Sequence, residues 1–203
     1  MIPWRGGRPQ NFTELYSFYF QYVILLYSEV QSQNSLPQET LFEINAAFNH
    51  VARHWTYNQP EQEAVSLAFG HLKRSCLDLF KMKVVEARKQ YDELRRLDTS
   101  VINNGEFDRD LRRLFNEIRR GAIDARQHEG ELDGNDLVPS FELWEAVYVN
   151  CERLETDFYL CPHVEWARKK TIIAFLRRHA LDFVLGVTAS LVATMIYIYF
   201  TTH

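Results

Sequence analysis

FVLGVTASLVATMIYIYF, residues 183–200, contains no charged side chain. With Ala180 and Leu181 before it and Thr201 after it, the tract is about twenty residues long, enough for a helix to cross a hydrocarbon core of ~30 Å. Only Thr202 and His203 follow, so the position predicts a C-terminal anchor rather than a secretory signal. The expected organisation is a helical domain over 1–178 and a single transmembrane helix over 179–203. The working parts then lie on one side of the membrane.

Charge selects the side. Arg168, Lys169, Lys170, Arg177 and Arg178 precede the tract, opposed by Glu165 and Asp182. Basic flanks stay on the cytoplasmic side, and the far-end aromatics Tyr197, Tyr199 and Phe200 suit the opposite interface. A cytoplasmic N-terminal domain is therefore expected. The scattered, odd set of Cys76, Cys151 and Cys161 agrees with a reducing compartment and argues against a disulfide scaffold.

The rest of the chain reads as helix. Asn11 before Phe12, Thr13 and Glu14 is a capping signature for an apolar run to about Val30. Ser35, Pro37 and Gln38 open a second helix to about Tyr57, and Asn58, Pro60 and Glu61 a third to about Leu97. Asn103, Asn104 and Gly105 break it. A fourth helix follows from about Phe107 to Arg126, an acidic loop over His128–Pro139, a fifth helix from Ser140 to about Leu160, and a last one after Pro162. No sustained alternation points to a strand, so the expected class is all-α: a cytosolic bundle of long antiparallel helices. The first helix is apolar nearly all round, which marks it for the centre of the bundle or a subunit interface.

The third helix carries a seam, Leu77, Phe80, Val84, Ala87, Tyr91 and Leu94, at spacings of three and four. Beside it Arg74, Lys81, Arg88 and Arg95 recur every seven residues. The fourth helix repeats the arrangement, with Phe107, Leu111, Leu114, Phe115, Ile118 and Ala122 inward and Arg112, Arg119 and Arg126 on a rail. Residues 71–126 hold 14 Lys or Arg against 10 Asp or Glu, in a chain of net charge −4. Such rails ordinarily pair with acids on neighbouring helices or face water. Their functional reading is a site where Arg74, Lys81 and Arg88 meet Arg112 and Arg119 around an anionic ligand, a nucleotide or short oligonucleotide. The pI of about 6.0 and the absence of a dense basic patch argue against sustained duplex binding.

Along the anchor, Asp182, Gly186, Ser190 and Thr194 stand four apart, with Ala189 and Ala193 beside them. Small residues on one face let membrane helices approach closely, and an acid at the edge of a span marks function. The stripe predicts a homo-oligomer and, one step further, a pore lined by it. No phosphate-binding Gly-rich loop, nucleophile elbow, metalloprotease helix or paired Cys motif is present, so neither catalysis nor a cofactor is expected. His50 and His54, four apart, lack an identifiable third ligand.

The segment AFGHLKRSCLDLFKMK (Ala68–Lys83), followed by long charged helices and a terminal span, resembles small membrane effectors of bacterial antiviral systems, of the Hailong channel type. The resemblance implies a helical cytosolic domain that senses or is restrained by a nucleotide signal, with assembled spans that permeabilise the inner membrane; it transfers no ligand residues. The alternative is a tail-anchored adaptor, whose helical module binds a regulatory or other protein partner while the anchor only localises it.

Overall fold

A computed structural model describes residues 7–32, 37–99, 102–131 and 138–202. Within them the chain is helical, with no strand among the described residues. Helix α1 (Phe12–Phe18) passes through a π turn, Tyr19–Val23, into α2 (Ile24–Ser32). Then come α3 (Gln38–Tyr57), α4 (Glu61–Leu94), a 3-10 turn (Ile102–Gly105) and α5 (Glu106–Glu131). Helix α6 (Val138–Arg153) ends in a second π turn, Leu154–Tyr159, and α7 (Pro162–Thr202) closes the described chain.

The punctuation acts as its chemistry dictates. The Asn11 side chain accepts from the Glu14 amide at 3.0 Å, while Glu14 accepts from the Gln10 amide at 2.8 Å. These bonds satisfy N–H groups left open at a helix start. Asn58 stops α3 in the left-handed region at φ 52°. Helix α4 ends earlier than expected, at Leu94 with Arg95 as its cap, so Asn103, Asn104 and Gly105, at φ 47°, 52° and 83°, do not break it but shape the turn that leads into α5.

The central place belongs to α4 rather than to the aromatic first helix. Leu72, Lys73, Ser75, Cys76, Leu77, Leu79 and Phe80 are all buried, so nearly every face of α4 is covered over two turns. In α1 and α2, Leu15, Phe18, Tyr22, Val23, Leu26 and Val30 are buried, but Phe20 is 63% exposed and Leu25 52%. That pair of helices therefore lies on the outside. Phe18 meets Phe69, and Lys83 meets Glu29, so it runs parallel to α4. Lys81 bonds Glu129 and Tyr91 stacks on Phe115 with ring centres 3.9 Å apart, so α5 runs antiparallel.

The seam of α4 is consumed in this core. Leu77, Phe80, Ala87 and Leu94 are buried, and Val84 and Tyr91 pack against them. On α5 the inward set holds as expected, with Ala125 added. The helix continues past Arg126 to Glu131, taking in His128 and Glu129 of the expected loop; Asp133 and Asp136 lie outside the described residues. Helix stability outruns the local signal here because the Glu129 carboxylate accepts from Trp144 Nε1 on α6 and from Lys81 Nζ on α4.

Candidate functional site

Helix α7 begins as part of the bundle and ends outside it. Val164 and Ala167 are fully buried in its first two turns. Arg168 lies 3.9 Å from Glu93 and over the Tyr159 ring, and Lys170 lies 3.7 Å from Asp98 and over Trp166. Two of the five cations preceding the apolar tract are thus tied to the bundle as well as flanking that tract. From Ile172 onward every described side chain is exposed, and the helix is unbroken to Thr202. It is the one helix among the described residues long and apolar enough to cross a membrane, with a mean hydropathy of 1.9 in its most apolar window.

The small-residue stripe sits wholly on this free arm. Asp182, Gly186, Ala189, Ser190, Ala193 and Thr194 are exposed, and a Cβ placed on Gly186 would meet nothing within 4 Å. The Thr194 hydroxyl donates to the Ser190 carbonyl at 2.8 Å, and Thr188 does the same to Val184 at 2.9 Å. Those donors are satisfied within the helix, so their polarity suits an apolar surrounding.

The two basic rails do not share one pocket. Arg74 bonds Glu43 of α3 at 3.2 Å and also touches His71. Lys81 reaches Glu129 at 3.1 Å and lies over the Trp144 ring. Arg88 and Arg119 are exposed. Arg112 bonds Asp108 one turn away and, alone of the five, lines a described depression. That groove, about 560 Å³, is built from Gly105, Asp108, Arg109, Arg112, Arg113, Asn116, Glu117 and Arg120, all on the outer side of α5. Arg109 and Arg113 pair there with Glu106 and Asp110, so much of the rail is a solvated face.

The residue that sequence reasoning passed over is Lys83. It lies between the rails in number but only 3% of its side chain is exposed, and its ammonium donates to Glu29 of α2 and to Glu155 of the second π turn. The Tyr148 hydroxyl joins the cluster through Glu29 and Glu152. Burial alone disfavours the charge on Lys83, but Glu155 and Glu29 more than offset it and hold the ammonium above the ordinary lysine range. Nearby, the Tyr22 hydroxyl donates to Glu145 of α6. Tyr22 lies in the first π turn and Glu155 in the second. One widened helical turn at each place re-aims a side chain that a regular helix would send elsewhere.

His50 stacks on His71 at 5.2 Å while His54 bonds the Gln59 carbonyl at 2.7 Å, so the two histidines face different neighbours. Among the described residues no group of three His, Cys, Asp or Glu side chains could hold a metal. No protein-family model matches the chain, and no curated protein or solved structure does either.

Proposed function

We propose that this chain is a homo-oligomeric membrane effector, whose α7 helices assemble into a gated channel or pore controlled by the helical body. The observation that carries the reading is the free arm. A single rigid helix, seated in the bundle at Val164 and Ala167, presents an exposed apolar surface with a small-residue face along 182–194. Exposed apolar area on that scale demands lipid or another chain, and small residues permit close helix contact in lipid. The basic flank favours a cytoplasmic body, and the inner membrane of a bacterium follows only from the resemblance to such effectors. The role in antiviral, growth-arresting defence rests on the resemblance of Ala68–Lys83 and of the whole architecture to such effectors.

The adaptor reading has an observation of its own. Phe42, Trp55 and Tyr57 are more than 70% exposed on α3. Trp55 and Tyr57 sit where α4 begins, at the opposite end of the bundle from the Glu93 and Asp98 contacts with α7. The 34 residues of α4 separate those ends by ~50 Å, so the anchoring membrane does not cover this aromatic surface; a protein partner would.

The discriminating experiment is unrestrained expression with dye uptake and membrane potential as readouts. The channel reading requires permeabilisation by the wild type and its loss in Gly186→Leu and Ser190→Leu, with the circular dichroism of the bundle unchanged. Undisturbed membranes with wild-type protein at the same abundance favour the adaptor.

A further inference from the structure

Between the last bundle contact of α7 and the apolar tract lies a short helical stretch with an unexpected surface. Ile172, Ile173, Phe175 and Leu176 are 58–65% exposed, yet they precede Phe183 by seven or more residues. On a helix that distance is ~10 Å or more, which leaves these side chains outside the hydrocarbon. None of the described residues covers them. Helix α7 runs without a break from Pro162, so the stretch cannot fold back on the bundle, nor lie flat in the headgroup layer while its continuation spans.

Their spacing names the occupant. Ile173, Leu176, Ala180, Phe183, Val187, Ser190, Thr194 and Tyr197 follow one another at alternating intervals of three and four, and all are exposed. The first two lie ahead of the tract and the rest, from Ala180 onward, run through it without a change of register. A seam of this period wraps around another helix of the same period, and about three heptads make it persistent. A second copy meets the requirement, because its α7 enters the same membrane from the same side and at the same depth. Like positions then meet in parallel and in register. Arg177 stands at the edge of the seam and Lys170 is already held by Asp98, so no cation occupies the contact line between Ile173 and Phe183.

Resting on the reading of α7 as the oligomerising span, we propose that Ile173 and Leu176 form a neck outside the hydrocarbon, continuous with the seam that enters the tract at Ala180 and Phe183, where α7 of one copy packs in parallel against α7 of a second copy. In water the neck is driven by apolar burial, whereas inside the membrane small-residue packing takes over. The assembly is then set in part before the pore begins, and rotation of the bundle is passed to the spans through a stiff helical connection.

Cysteine crosslinking of the full chain in membranes tests this. Cys76 and Cys151 are buried; Cys161→Ser removes the more accessible thiol. A short bis-maleimide should give several-fold more dimer from Ile173→Cys and Leu176→Cys than from Phe175→Cys and Leu181→Cys, which lie off the seam. Within the tract Ser190→Cys should exceed Val192→Cys. Crosslinks at Ser190 without preference at Ile173 and Leu176 would overturn the neck and leave the oligomeric span standing. Equal yields at Ile173, Leu176, Phe175 and Leu181, on and off the seam, would likewise overturn it, and no crosslink anywhere would remove both. Leu176→Glu serves as a second readout, lowering the mass of the detergent-solubilised particle if the neck is real and leaving it unchanged if not.

Discussion

Lys83 Nζ lies 2.6 Å from Glu155 Oε2, joining the middle of the central helix to the π turn that precedes the arm. The same ammonium holds Glu29, so one side chain ties α2, α4 and the root of α7 together. A cation this deeply buried is costly unless paired, and removing it leaves its partners' charges facing each other.

Lys83→Met should therefore lower stability by about 3 kcal/mol, the usual scale for breaking a buried pair. Adding Glu29→Gln and Glu155→Gln should recover most of that loss, because the uncompensated charges go with the cation. Denaturant unfolding of the three variants checks it. A single variant as stable as the wild type would show the cluster to be an ordinary solvated pair.

The cluster also sets a pH limit. Burial, and then the bond to Glu29, holds the Tyr148 hydroxyl far above its ordinary range. Tyr22 is raised likewise by burial and by Glu145, and burial pushes Cys151 up to about 12. Lys83 is raised as well. Each raised group contributes stability that is complete below its unfolded value and lost as pH climbs through the folded one. The melting temperature should hold through neutral pH to about 8.5 and fall steeply above about 10, where the unfolded chain sheds these protons first. Tyr148→Phe should make the alkaline fall shallower; an identical slope would deny the tyrosine its part.

Two glycines should respond in opposite directions. A Cβ on Gly121 would sit 2.8 Å from Val147 Cγ2, whereas one on Gly70 would meet nothing within 4 Å. Overpacking costs about 1–3 kcal/mol against a helix-propensity gain of about 1 kcal/mol. Gly121→Ala should lower the melting temperature, and Gly70→Ala should raise it by ~2–4 °C. A rise for both would mean that α5 and α6 separate without cost.

The rails separate by position. Arg112 lines the groove on α5 with Arg109 and Arg113, while Arg74 is engaged by Glu43. If an anionic ligand gates the body, fluorescence anisotropy with a short labelled oligonucleotide should show affinity lost in Arg112→Gln and kept in Arg74→Gln, and no binding by the wild type would return both rails to ordinary bundle surface. Equal loss from both would restore a single site shared by the two helices.

Much of this fold could be read in advance because its boundaries are local chemistry. Asn11, Pro37, Asn58 and Pro162 all act where they stand, and the α5 inward set follows from its period, whereas α4 ends at Leu94, before the expected break at the run Asn103–Gly105. What escaped is long-range. Lys83 looked like one more cation beside a seam, since its partners Glu29 and Glu155 are 54 and 72 residues away. The two π turns leave no periodic trace, because one inserted residue shifts a stripe without abolishing it. The central rank of α4 also stayed hidden: local apolar content favours the aromatic first helix, whereas the helix that is surrounded is the one others choose to pack on. The rails were visible as spacing, but spacing could not show that Glu43 of α3 and Glu129 of α5 would claim Arg74 and Lys81.

The most direct test of the account is the mass of the full chain in detergent, by light scattering with refractive-index correction. The account predicts a discrete multiple of the 24.0 kDa protomer that falls toward the protomer in Gly186→Leu and Ser190→Leu. A monomer at every protein concentration would contradict it.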